Sequence, residues 1–330
     1  MNPSPTTGGL AQRASESIEQ LQLYRRYKRL GNEAVTARAW WNARHTGLWH
    51  AVADFEIKHG HLPKIDFGTF FDWSNLAAKS NRRRRSMRDM WKNKTVVCVG
   101  NGPSIASTDL TLLNNQYVIG TNRAYMLLEN FRPRAFHLIV QDNLRLRELG
   151  PEISKSSFPL HVGNCYFTEQ WPIAPWILQT KNPPYVYLPK LNWIKTQDSP
   201  TGDQLALEAD FEPGFSPDPS LGFYYGRSVI FSAIQLAAFF GATKIVCIGI
   251  DMSYSNGVNF VSGVTNVFPT FSYEIHAVPM FDVLSTEFNA RGIELVNATP
   301  GGLVDCIKRE SLFDALNLPP SRAAHHARAA

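Results

Sequence analysis

The sequence predicts an α/β fold, a Rossmann-like doubly wound and mainly parallel sheet, and three observations predict it. From Thr95 onward, short apolar runs without polar alternation recur, such as TVVCVG, AFHLIVQ and KIVCIGI, as expected of strands buried on both faces. Stretches of helical texture separate several of them, which suits parallel strands joined by crossovers. Three of the runs also end in glycine or side-chain amides, the residue types that let a strand break into a turn.

The elements follow in chain order. Residues 1–15 are rich in Pro, Thr, Gly and Ser and predict a disordered start. From Ser15 to about His61, apolar residues including Ile18, Leu21, Tyr24, Tyr27 and Leu30 recur near helical spacing, followed by Trp40, Trp41 and Trp49. The run Arg82–Arg85 closes this segment. Residues 1–93 are therefore expected to form a basic, mostly helical N-terminal arm. Residues 1–94 carry seventeen Lys or Arg against eight Asp or Glu, whereas the rest of the chain carries sixteen against twenty. This asymmetry points to an anionic partner surface. Packing of the arm on the body as a cap and seating on an anionic membrane through arginines and tryptophans both stay open. Nucleic acid is disfavoured, because no aromatic-plus-basic motif of a known reader is present.

Strands are predicted at Thr95–Gly100, Tyr117–Gly120, Ala135–Gln141, Leu160–Val162, Tyr185–Leu188, Lys244–Ile250 and Ile293–Asn297, and helices at Ser228–Phe240 and Phe281–Arg291. Within this 94–315 domain, residues 172–220 combine many prolines and aromatics with weak periodicity and read as a lid or insertion. Residues 316–330 read as a disordered tail, and no internal repeat is visible. With 330 residues and 18% charged side chains, the chain suits a soluble globular protein of one large or two modest domains. No run of about eighteen apolar residues predicts a transmembrane helix, and the first residues lack the order of a secretory signal. The four cysteines are far apart; Cys98 and Cys247 lie in strand runs and read as buried thiols in a reducing cytoplasm, with no zinc spacing.

The chemistry gathers at strand ends. The first strand runs into Gly100-Asn101-Gly102-Pro103-Ser104. Such a loop can present backbone N–H groups to a phosphate, and Asn101 and Ser104 add hydrogen-bonding side chains. A branched side chain at Gly102 is then expected to block nucleotide binding without disturbing the fold. The spacing is neither G-x-G-x-x-G nor a Walker loop, which disfavours NAD enzymes and P-loop NTPases. The second strand ends in Asn122 and Arg123, the third in Gln141, Asp142 and Asn143, and together they form a row of polar tips. Gly226 and Ser228 precede an apolar helix whose N-terminus suits an anion. Asp251 and Tyr254 follow another strand; Asp251 has metal, ribose and turn-capping readings. His276 follows a loop and precedes a helix, and an imidazole there suits general-base work. No D-x-D pair for a diphosphate-bound metal appears.

The set GNGPS, GTNRAY, FGATKIVCIGIDMSY and NATPGG resembles the MptE-like, motility-accessory-factor-related bacterial proteins and, more distantly, the family 42 bacterial sialyltransferases. The similarity covers about residues 94–315. The sialyltransferase resemblance implies that Asn101, Gly102, Ser104 and Asn122 hold a CMP-linked donor and that His276 is the base. The tyrosines that support the leaving phosphate find no secure counterpart; Tyr224, Tyr225 and Tyr254 are the candidates. The NATPGG segment, with Thr299 and Gly301 at the site, lies closer to the MptE-like branch, whose archaeal members are pterin diphosphokinases using ATP and Mg²⁺.

These readings combine into an expected glycosyltransferase that moves a sialic or related nonulosonic acid from a CMP-sugar to a hydroxyl on a glycan or surface glycoconjugate. It would hold no tightly bound cofactor and would work in the cytoplasm, with a peripheral seat at the inner face of the membrane left open by the arm. A diphosphokinase with Asp142 and Asp251 as Mg²⁺ ligands is the alternative, and a non-catalytic nucleotide-binding protein is the third.

Overall fold

The computed structural model describes residues 80, 83–141, 143–163, 184–187, 213–219, 223–224, 226–253 and 273–318. One sheet of eight parallel strands organises them: β1 (Thr95–Val99), β2 (Tyr117–Thr121), β3 (Ala135–Val140), β4 (Leu160–Gly163), β5 (Tyr185–Tyr187), β6 (Lys244–Ile248), β7 (Glu294–Asn297) and β8 (Lys308–Arg309). Their spatial order is β5-β4-β3-β2-β1-β6-β7-β8. The chain steps outward from β1 to β5 and then returns to pair β6 on the other side of β1, in register Val99 to Ile248. This reversal is where doubly wound sheets open a crevice beyond the carboxyl ends of their strands.

The absence of polar alternation in β1 and β6 follows from burial on both sides. Val97, Val99, Val246 and Ile248 belong to one core with Leu113, Val118 and Leu146, while Val96, Cys98, Ile245 and Cys247 belong to another with Ile234, Phe281 and Phe288. The first face carries short 3-10 turns, α1 (Asn143–Ile153) and α4 (Leu312–Ala315). The second carries α2 (Val229–Phe239) and α3 (Val278–Asn289). Nine of the eleven residues of α2 are buried, which explains why its sequence is apolar around the whole circumference rather than along one stripe.

The sequence expectation for α3 started it at Phe281; the helix begins three residues earlier, with Pro279 in its first turn, where the missing N–H is no loss. Neither α1 nor β8 was expected. Pro151 lies inside α1 and weakens its helical signal. The two residues of β8, Lys308 and Arg309, are both exposed, so they carry no apolar signature.

Of the N-terminal arm, the described stretch 83–93 packs on the body. Met87 and Trp91 are buried in the second core. The backbone amides of Asp89, Trp91 and Asn93 donate to the carbonyls of Phe239, Phe240 and Gly241 at the end of α2. Arg84 is also buried, 4% exposed, so the arginine run is not one continuous solvent-facing patch. The expected helices and tryptophans between Ser15 and Trp73, and Arg82, lie outside the described residues. So does most of the 172–220 segment. Its described parts are the edge strand β5, with Pro184 before it, and residues 213–219, where Ser216 is buried. No helix among the described residues is long and apolar enough to cross a membrane.

Candidate functional site

At the carboxyl edge of the sheet the loops after β1, β2, β3 and β6 converge, and the loop after β1 is stitched to its neighbours on both sides. Toward β6, the Gly102 amide donates to the Gly249 carbonyl at 2.9 Å. The Ser104 amide and hydroxyl both donate to the Asp251 carboxylate, at 3.2 and 2.7 Å. Pro103 has no N–H. The amides of Gly102 and Ser104, which the sequence offered to a phosphate, thus serve the β6 loop here, and a carboxylate stands beside them.

The glycines have the same explanation. A Cβ on Gly100 would overlap the Gly249 carbonyl and lie 2.8 Å from its carbon. One on Gly102 would overlap the Asp251 carboxylate and lie 2.8 Å from the Gly249 oxygen. These positions are glycine because two loops press together, so a branched residue at Gly102 would disturb the local fold as well as any ligand. Asp251, 7% exposed, takes the turn-holding reading. Asp251→Ala leaves the buried Ser104 donors without their acceptor. It should lower unfolding free energy by about 2–3 kcal/mol, given the worth of hydrogen bonds to a charged group. Urea unfolding checks this, and Asp251→Asn should lose less.

Toward β2, Asn101 is the staple. Its Nδ2 donates to the Thr121 carbonyl and hydroxyl at 2.9 and 2.7 Å, and its Oδ1 accepts from the Arg123 amide at 3.1 Å. Both chain neighbours of Asn122 are thus held, and Asn122 itself takes a left-handed φ of 46°, a region that asparagine tolerates better than most residues. The Oδ1 of Asn122 is buried and has no hydrogen-bond partner. Arg123 is buried and paired with Glu148 on α1, which also holds Arg145 at 2.5 Å. Its charge is balanced inside the protein and not held out to a ligand.

At the end of β3, Gln141 is 5% exposed. Its Nε2 donates to the Ser232 hydroxyl in the first turn of α2 at 2.6 Å, while its Oε1 has no partner. This bond brings the N-terminus of α2 beside the β3 tip. Ser228 occupies the N-cap position as expected, but its side chain makes no capping hydrogen bond. Gly226 packs so closely that a Cβ would lie 2.5 Å from Phe231 and 2.6 Å from Met280. Asn143 begins α1; Asp142, Tyr225 and Tyr254 lie outside the described residues.

The NATPGG segment braces the β6 loop. The Thr299 hydroxyl accepts from the Ile250 amide at 3.1 Å, and the Leu303 amide donates to the Asp251 carbonyl at 2.9 Å. Arg309 holds the segment from outside through the carbonyls of Thr299 and Gly301. Gly301 is exposed with φ of 73°. His276 is fully buried in a single π-helical turn, Tyr273–Ala277, that runs into α3. Among the described residues, no group of three or more His, Cys, Asp or Glu is placed to hold a metal ion.

Two polar residues were missed in the sequence. Gln235 lies mid-α2 and holds the amides of Ser216 and Tyr224 and the carbonyls of Tyr224 and Phe231. Ser232 sits one turn earlier. A glutamine in a helix otherwise apolar all round was the available signal, because a buried amide needs partners.

No protein-family model matches the chain, and no curated protein matches it. Among solved structures, it is similar to the sialyltransferase CstII from Campylobacter jejuni, determined in complex with a substrate analogue, cytidine-5'-monophosphate. The identity is 18%, with 72% of this chain and 97% of that chain covered and a TM-score of 0.39.

Proposed function

We propose that the strand-end crevice takes a CMP-linked sugar and that the chain is a glycosyltransferase acting on a hydroxyl acceptor. The observation that carries this reading is the pair of buried, unpartnered oxygens, Asn122 Oδ1 and Gln141 Oε1, at neighbouring strand ends. An unmet buried acceptor costs about 1–3 kcal/mol, and two at one sheet edge fit a site where a ligand supplies the missing donors. A cytidine offers an exocyclic amine and ribose hydroxyls. The motif resemblance to family 42 sialyltransferases selects CMP among nucleotides and a nonulosonic acid among sugars.

In this reading Asn101 and Asp251 position the loops, and Asn122 and Gln141 contact the donor. The acceptor oxygen forms its bond to the anomeric carbon as the bond to the CMP phosphate breaks. His276 takes the acceptor proton, and CMP leaves.

The pyrophosphate-transfer alternative would use Asp142, which lies outside the described residues, and Asp251, each of whose oxygens accepts one hydrogen bond from Ser104. Titrating the protein with CMP and with ATP, each in Mg²⁺ and in EDTA, tests the choice. Saturable CMP binding that EDTA leaves unchanged is the expected result. Binding of ATP alone, and only with Mg²⁺, would overturn it.

A further inference from the structure

Away from the candidate site, on the sheet face under residues 83–94, three buried side chains form a continuous hydrogen-bonded chain. His137 Nδ1 meets His161 Nε2 at 2.8 Å, and His161 Nδ1 meets the Tyr187 hydroxyl at 2.8 Å. They project from β3, β4 and β5, and they are 7%, 0% and 1% exposed. The 83–94 segment covers them. The Trp91 ring packs edge-on to His137 at 5.0 Å, and the Arg84 guanidinium lies over the Tyr187 ring at 5.2 Å. Arg83 lies over Tyr185 at 4.4 Å, and Tyr185 stacks on His161 at 4.9 Å. Phe240, beyond the end of α2, packs against both imidazoles.

We propose that the His137–His161–Tyr187 chain is a proton-operated latch that fastens residues 83–94 to the sheet, and that acid releases this segment.

With both imidazoles neutral, His161 donates through one nitrogen and accepts through the other, and the chain runs with one polarity. A second added proton sets two N–H groups against each other between the rings. Even the first places a cation in a dry pocket that already holds Arg84, with Arg83 beside it. Among the described residues, the carboxylate in this surrounding is Asp218, which is bound to Arg88 at 2.9 Å. Burial pushes His137 down to about 3. Burial lowers His161 well below its ordinary value, with His137, Arg84 and Arg83 adding to the effect.

The sign follows from linkage. The folded values lie below the free-histidine value of about 6.5, so the released state binds more protons between the two. Attachment is intact above about pH 6.5 and weakens by up to about tenfold per pH unit below it for each proton taken up. Lifting the segment uncovers His137 and removes Arg84 from Tyr187, which relieves both penalties together.

Hydrogen exchange of the full chain at pH 7.5 and 5.0, corrected for the intrinsic pH dependence of exchange, tests the latch. Exchange in peptides covering 83–94 should rise by at least about tenfold at pH 5.0, while β1 peptides at 95–99 stay unchanged. The paired substitution His137→Asn with His161→Gln keeps polar groups but removes the titration, and should abolish the rise. Arg84→Met keeps both rings and should move the midpoint of release to lower pH. Simultaneous loss of protection in 83–94 and 95–99, a rise that persists in the paired variant, or a midpoint unmoved by Arg84→Met would each overturn the proposal.

Discussion

Gly100→Val should collapse the loop after β1 and cost about 3 kcal/mol or more, a large share of a typical domain's stability of roughly 5–15 kcal/mol. The added Cβ would overlap the Gly249 carbonyl and stand 3.3 Å from the Ile248 oxygen. Both neighbours are backbone, in a loop whose strand pairs β1 directly, so no side-chain rotation makes room. Relief would require parting β1 from β6, and the Gly100 amide donates to the Ile248 carbonyl at 2.8 Å. Gly301→Ala is the matched control. Nothing lies within 4 Å of the new carbon, and only the left-handed φ of 73° opposes it, for about 1–2 kcal/mol. Urea midpoints of the two variants check the contrast. Equal losses would mean that the glycines of the β1 loop serve backbone freedom rather than close approach.

The second large effect belongs to His276. If it takes the proton of a sugar-accepting hydroxyl, as proposed, it should contribute about 10²- to 10⁴-fold to turnover. His276→Gln is expected to lower turnover by that factor with CMP affinity little changed, since Asn122 and Gln141 make the nucleotide contacts in this account. The competing role is mechanical. His276 is fully buried in a π-helical turn at the start of α3, and a histidine there can hold that turn to its surroundings. That role predicts a lower melting temperature and weaker CMP binding together. Turnover within a few-fold of wild type would remove His276 from the reaction.

The parts of the fold that the sequence revealed were those governed by burial on two faces. Val96–Val99 and residues 245–248 announce themselves because every position is packed, and α2 because it is apolar nearly all round. What stayed hidden was governed by partners distant in the chain. Nothing near Asp251 in sequence indicates that Ser104, 147 residues away, occupies both its oxygens. Nothing near Arg123 indicates Glu148. The glycines of GNGPS were read as giving backbone access to a phosphate; nothing in the sequence shows that the β6 loop also presses on them. The latch was hidden for the same reason. His137 and His161 sit inside strand patterns as isolated polar residues, and only the parallel register of β3, β4 and β5 sets them beside Tyr187.

The central claim, that a nucleotide satisfies the unpartnered oxygens at the strand ends, is tested most directly by Gln141→Leu. The substitution removes a buried acceptor that no protein group meets, but also the hydrogen bond from Nε2 to the Ser232 hydroxyl. The two effects oppose each other, so the melting temperature should change little. The same change should weaken CMP binding by about tenfold, the equivalent of 1.4 kcal/mol. Calorimetric titration of CMP into wild type and variant, with melting curves on the same samples, gives both quantities. A melting temperature little changed, with weaker CMP binding, is the predicted result. Identical affinity in the two proteins, or no saturable CMP binding to the wild type, would contradict the account.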